Sequence, residues 1–260
     1  MDEKKAQWPL FEPSSDLAFK PVPLMLDQLL EKLHLTTPLN ILVLAPHPDD
    51  FDAIAVTLRF FQQRGDTIHL AVLTNGASGV EDGFAGAHTD EEKTFLREAE
   101  QIASCRFFGL APEHLRFLRL PLDDNGNPFL DDANRQRIRV CLQQSHADLV
   151  FMPHGNDSNI THQRTYALFR SVALEDKLSL WAVLNQDAKT QVMRTDLYTP
   201  FDEVSAQWKA QLLRLHASQH QRNLNMRGHG FDERVLAINR QAGAARDVAY
   251  AEVFELERFE

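Results

Sequence analysis

Imidazoles and carboxylates gather in two short segments of this chain. The first is His47-Pro48-Asp49-Asp50; the second is Pro153-His154-Gly155-Asn156-Asp157-Ser158-Asn159-Ile160-Thr161-His162. Each follows an apolar run, Ile41-Leu42-Val43-Leu44-Ala45 before the first and Leu149-Val150-Phe151-Met152 before the second. Short aliphatic runs that end at proline read as buried strands. In open α/β sheets that strand edge is where ligands bind. Packing gives no reason to cluster such groups there, and burying them unpaired is costly. If the two strands are parallel neighbours, both clusters face one crevice. His47, Asp50 and His162 then form a two-histidine, one-carboxylate set, which suits a catalytic zinc ion with a position left open. Zinc lowers the pKa of bound water towards ~7, and Asp49 is placed to take the proton. The same donors accept other divalent ions.

Other readings compete. A single histidine after a strand is ordinarily a hydrogen-bonded structural residue, and a single aspartate there caps a helix. Capping does not explain two ligand-rich clusters in one chain. His47-x-Asp49 with His162 also fits the facial triad of non-haem iron oxygenases, best known on an all-β jelly roll. Asp50-Phe51-Asp52 fits the acidic motif of nucleotide-sugar glycosyltransferases but leaves His47 and His162 unused. A non-catalytic metal- or sugar-binding module is a further class, although such a module has no need of Asp49.

The elements that must position these groups alternate. Strand-like residues 41–45 precede a helical pattern over 52–63. Residues 68–73 are strand-like and end at Thr74-Asn75-Gly76, and a Gly/Ala-rich loop runs to His88. Asp90-Glu91-Glu92 opens a helix to Phe108, with acids where the helix dipole favours them. A strand over 115–120, a turn at Asp123-Asp124-Asn125-Gly126-Asn127-Pro128, a helix over 132–144 and a strand over 149–152 follow. Beyond these the pattern gives strands over 180–184 and 192–197, a helix over 203–216 and a last strand over 252–256. Strands alternating with helices predict an α/β, Rossmann-like, mostly parallel sheet with helices on both faces. Residues 1–39 read as an N-terminal extension, a proline-punctuated loop followed by one helix carrying Leu26, Leu29, Leu30 and Leu33. Residues 40–260 read as a single domain.

With 27 Lys+Arg against 37 Asp+Glu, the net charge is −10, which argues against sequence-independent nucleic-acid binding. Cys105 and Cys141 stand in helical segments without metal-type spacing and read as reduced, buried thiols. No apolar h-region follows Met1-Asp2-Glu3-Lys4-Lys5, and no apolar run nears the ~20 residues of a membrane span. A cytoplasmic protein is expected. Oligomeric state is not readable.

At these motifs the chain resembles the LmbE-like, PIG-L deacetylase family. The family's strand followed by Ala-His-Pro-Asp-Asp-Glu reads here Pro46-His47-Pro48-Asp49-Asp50-Phe51. The resemblance continues through Thr74-Asn75-Gly76, Arg97-Glu98-Ala99-Glu100 and His162-Gln163-Arg164. It then takes in Lys209 with His216-Ala217-Ser218-Gln219, and Tyr250-Ala251-Glu252-Val253-Phe254. It implies a Rossmann-like fold and zinc-dependent hydrolysis of an N-acyl group, usually acetyl on an amino sugar or glycoconjugate. By motif match His47, Asp50 and His162 bind zinc and Asp49 is the general base. Arg97 lines the substrate pocket, and Asn75 and His216 are further substrate-side candidates. His154, Asp157 and Gln219 support the ligands from behind. Two positions depart from the pattern. Phe51 stands where the family has Glu, with Asp52 one place later, and Asn159 stands where many members have a second histidine. Asparagine is no general acid, but its amide donates to an oxyanion, so Asn159 joins Asp49 as a catalytic candidate. The replacement also admits a weakly active member of the fold.

Overall fold

The computed structural model describes residues 24–25, 28, 30 and 38–260. One mixed sheet holds eight strands: β1 (Leu24–Met25), β2 (Asn40–Ala45), β3 (Thr67–Val72), β4 (Leu115–Phe117), β5 (Leu149–Pro153), β6 (Leu180–Asn185), β7 (Leu197–Phe201) and β8 (Tyr250–Phe259). Their order is β1-β7-β8-β6-β5-β2-β3-β4. Only β8 runs antiparallel to its neighbours, β6 and β7. The helices are α1 (Ala55–Arg64), α2 (Asp90–Phe108), α3 (Asp132–Ser145), α4 (Ile160–Glu175), α5 (Glu203–Arg214), α6 (Ala217–Arg227) and α7 (Phe231–Ala244).

β2 shows why a continuous apolar run forms a central strand. Side chains alternate across a sheet. Ile41, Val43 and Ala45 enter one apolar cluster with Leu58 and Phe61 of α1, Phe108 of α2 and Leu212 of α5. Leu42 and Leu44 enter a second cluster with Ile138 and Leu142 of α3 and Phe169 and Val172 of α4. Both faces are covered, so no position on the strand needs to be polar. This is the predicted fold class.

β2 pairs β3 on one side, Ile41 opposite Ile68, and β5 on the other, Ile41 opposite Leu149. The chain therefore leaves β2 towards β3 and β4, then returns across to β5. That reversal opens a crevice at the carboxyl ends of β2 and β5, where both ligand-rich segments begin.

Several expectations shift. The strand over 192–197 lies instead at Leu197–Phe201, because the preceding residues spend their backbone on other partners: Arg194 N–H donates to Glu255 and Asp196 N–H to the Phe254 carbonyl. β4 ends at Phe117, two residues before Arg119 takes a left-handed φ of 43°. The helix over 203–216 stops at Arg214, and His216 begins a new helix. Helices α4, α6 and α7 went unpredicted, since polar side chains interrupt their apolar spacing. The loop and helix predicted for residues 1–39 lie outside the described residues except at Gln28 and Leu30, both helical, while Leu24 and Met25 pair with β7 as an edge strand. Among the described residues no helix is long and apolar enough to cross a membrane. Cys105 and Cys141 are free, buried thiols.

Candidate metal centre and active site

β2 ends at Ala45, and the chain turns through Pro46 into the 3₁₀ turn Asp52–Ile54. His47, Asp49 and Asp50 project from this turn, half-buried. β5 ends at Pro153, and the loop to α4 delivers His162 from the first turn of that helix. Ligand atoms of His47, Asp50 and His162 all lie within 4.8 Å of one another. Asp50 Oδ2 accepts from the His47 backbone N–H at 2.7 Å and lies 3.1 Å from His47 Nδ1; Asp50 Oδ1 lies 3.6 Å from His162 Nε2. The two rings are 5.4 Å apart.

The donor chemistry suits a divalent ion. His162 Nδ1 lies 3.3 Å from Asp157 Oδ2, and that carboxylate also accepts from Asn159 N–H and the Thr190 hydroxyl. A carboxylate only accepts, so Nδ1 carries a proton towards Asp157, and Nε2, which faces Asp50, is the nitrogen whose proton an ion would displace. That is the arrangement a carboxylate behind a ligand histidine enforces. Burial alone would push Asp50 up, but His162 and the bonds from His47 hold it at about 2. Burial alone would push His162 down, but Asp50 and Asp157 raise it to about 9. Anion and cation face each other where an ion with a positive charge would replace the proton.

Asp49 is held from the side of α2. Its Oδ2 accepts from Arg97 at 2.8 Å, and the same guanidinium donates to the Pro48 carbonyl. Burial raises its pKa, and Arg97 opposes that rise. The carboxylate that meets both rings is therefore Asp50, so the oxygenase set of His47, Asp49 and His162 is not the one brought together.

The other candidates scatter. Arg97 and Glu100 do pair, at 3.0 Å, yet not on the surface: Arg97 is 1% exposed. Its two terminal amino groups contact Asp49, Pro48, Glu100 and Ser218. His216 is fully buried, its Nε2 2.7 Å from Asp52 Oδ2. Gln219 donates to the Gly79 carbonyl and holds the Gly/Ala loop. Asn75 accepts from Ala77 N–H and shapes its turn. In that turn Gly76 is left-handed, and a Cβ there would stand 3.0 Å from Pro48 and 3.2 Å from Arg97. His154 accepts from Asn156 N–H and faces Glu255 at 3.3 Å, away from the ligand set. Asn159 caps α4, its Oδ1 accepting from Thr161 N–H at 3.1 Å, so only its Nδ2 can donate.

Sequence reading gave no role to Gln101 and Ser104, which extend a buried polar row on α2. Arg97, Glu100, Gln101 and Ser104 recur at helical spacing and are all buried. They bind Pro48, Asp49, Ser218 and Asp52. Polar residues at core spacing on one helix were the available signal. Phe51, in place of the family's Glu, is buried edge-on against Phe108. Lys209 and Glu252 form a buried pair at 2.7 Å, with Lys209 also holding the Ala53 carbonyl and Glu252 the N–H of Val56 and Thr57. They anchor the start of α1, and hence the exit of the His47 turn.

The fold and this crevice define an α/β chain with two ligand-rich strand ends at one edge of its sheet. Residues 42–173, just over half of the chain, match the model of the family PIG-L, GlcNAc-PI de-N-acetylase, and the chain belongs to that family. No curated protein matches it. Among solved structures it is similar to N,N'-diacetylchitobiose deacetylase from Pyrococcus horikoshii, at 18% identity and a TM-score of 0.71 over 92% of this chain and 95% of that one. It is also similar to the A40926 pseudoaglycone deacetylase Dbv21, at 19% identity and TM-score 0.61 over 85% and 98% of the two chains. A third is GalB, the 4-carboxy-2-hydroxymuconate hydratase from Pseudomonas putida KT2440, at 16% and 0.67 over 85% and 96%. At these identities the structures speak to the fold, and the hydratase shows that it carries more than one chemistry.

Proposed function

We propose that this protein is a metal-dependent N-deacetylase acting on an N-acetylated amino sugar or glycoconjugate. The observation that carries the reading is the convergence of His47, Asp50 and His162 beside a separately held carboxylate, Asp49. Family membership supports it. The structural neighbours include enzymes named as deacetylases of N,N'-diacetylchitobiose and of the A40926 pseudoaglycone.

His47, Asp50 and His162 would hold the ion, zinc in the first instance, and Asp157 would orient His162. When bound, zinc supplies a Lewis acid for the amide carbonyl and a water of lowered pKa. Asp49 takes a proton from the attacking water, with Arg97 keeping the carboxylate in place and favouring its charged form. Once protonated, it returns that proton to the leaving amine, so one residue serves both halves of the reaction. Asn159 Nδ2 donates to the oxygen that develops charge. No second imidazole stands at that position, which makes the burden on Asp49 heavier. A weakly active member that binds sugar or metal is the second reading, and Asn159 is the residue that favours it.

Acetate release from a panel of N-acetylglucosamine conjugates tests the proposal. The zinc-loaded protein is expected to release acetate. Asp49→Asn, which keeps the shape but not the base, is expected to lower kcat by about 10²–10⁴-fold, the usual range for a proton-transfer group, with metal retained. An unchanged rate in Asp49→Asn would remove Asp49 from the mechanism.

A further inference from the structure

Asp49 adopts φ 127°, a region strained for any residue bearing a Cβ. Such a conformation persists only where neighbours over-determine it. Here the peptide is gripped on both sides. Its carbonyl accepts from Asp52 N–H at 3.0 Å and from Ala53 N–H at 3.3 Å. Its N–H donates to Gln101 Oε1 at 3.0 Å.

Gln101 is 0% exposed and is itself held in one orientation. Its Nε2 donates to Asp52 Oδ2 at 3.3 Å. Asp52, also 0% exposed, receives the Ser104 hydroxyl on Oδ1 and His216 Nε2 on Oδ2. Because a carboxylate only accepts and an N–H only donates, the amide of Gln101 cannot be reversed. His216 and Ser104 fix Asp52, Asp52 fixes Gln101, and Gln101 fixes the Asp49 backbone.

We propose that Gln101 is a positioning residue for Asp49: it holds the strained peptide whose relaxation would swing the carboxylate away from Arg97 and out of reach of a water that the His47, Asp50 and His162 set would hold. The proposal rests on Asp49 being the base. It assigns a role to a residue that touches neither the metal ligands nor solvent.

The test is Gln101→Met, which keeps the volume and deletes the hydrogen bonds to Asp49, Asp52 and Cys105. Displacing a reacting group by about 1 Å can cost on the order of 10²-fold. A kcat fall of about 10- to 100-fold is expected, with KM within about twofold and one metal still bound per chain. A second readout needs no substrate. Glycine tolerates φ 127° and alanine does not, so Asp49→Gly is expected to melt about 2–4 °C above Asp49→Ala. In the Gln101→Met background the peptide is free to relax, and that gap should close. A kcat within twofold of wild type, or a gap that persists, would overturn the proposal. Should Gln101→Met fail to fold, Gln101→Leu takes its place with the same expectation, since it too leaves the Asp49 N–H without its acceptor. The gap must close there, and a gap that persists contradicts the assignment. A closing gap in the Met background of a protein that releases no acetate would refute the deacetylase reading while leaving the positioning intact.

Discussion

At the scale of residues, the His162–Asp50 pair ties metal binding to pH. In the metal-free protein His162 is raised from its ordinary 6.5 to about 9, and Asp50 is lowered from 3.8 to about 2. These are two sides of one ion pair. A raised histidine stabilises fully below its unfolded value, and that contribution is lost as pH rises through the folded value. A lowered aspartate stabilises above its unfolded value and loses that contribution as pH falls through the folded one. The metal-free protein should therefore be most stable between about 4 and 6.5 with respect to this pair, and weaker towards 9. Urea midpoints of chelator-treated protein at pH 6 and pH 9 check this; equal midpoints would contradict the pairing. The convergence of His47, Asp50 and His162 was legible in the sequence because His, Asp and Pro at strand ends have no packing explanation. Asp52 and Gln101 were not, because a buried polar residue shows its purpose only when the neighbour it satisfies is known. Arg97 was half legible: its place beside the site followed from the motif, but its burial did not.

Elements place these residues through close approach of backbone to side chain. The loop from β5 to α4 carries Asp157 and Asn159 and leads into His162 in the first turn of α4, and it must pass under Tyr166 of that helix. A Cβ on Gly155 would lie 2.3 Å from that ring. Gly155→Ala should therefore shift α4 against β5, destabilising by about 1–3 kcal/mol as overpacked sites do, and weaken metal binding through His162. Thermal denaturation beside a metal titration measures both; an unchanged melting temperature would show that Tyr166 yields without cost. Elements with strong punctuation were legible. The acidic first turn of α2 marks its start, where Thr89 and Glu92 form a capping box, and Gly109 ends it with φ 90°. α6 and α7 escaped because their buried positions include Ser218, Asn223, Asp232 and Asn239, which do not read as an apolar stripe. Their polar faces bind other buried polar groups, such as Asn239 against Lys209.

Across the whole molecule, strand order decides where chemistry occurs. β2 lies between β3 and β5, so the chain reverses at the strand whose end carries His47, Asp49 and Asp50. Alternation of strand and helix in sequence announced a parallel sheet, and two ligand-rich strand ends suggested that β2 and β5 are neighbours. Nothing in the sequence announced that β8 would enter antiparallel between β6 and β7, because it is set by long-range pairing of Val183 with Leu256 and of Thr199 with Glu252. β8 brings Glu252 under α1 and Glu255 to His154, so the far end of the chain supports both halves of the crevice. The central claim is that this crevice holds one divalent ion. Metal content of purified protein, after incubation with zinc and desalting, tests it most directly with wild type beside His162→Ala. About one ion per chain in wild type and a loss of it in the variant is the expected result, since a catalytic site has three protein ligands and cannot spare one. Wild-type protein that retains no metal, or a variant that retains as much as wild type, would contradict the claim.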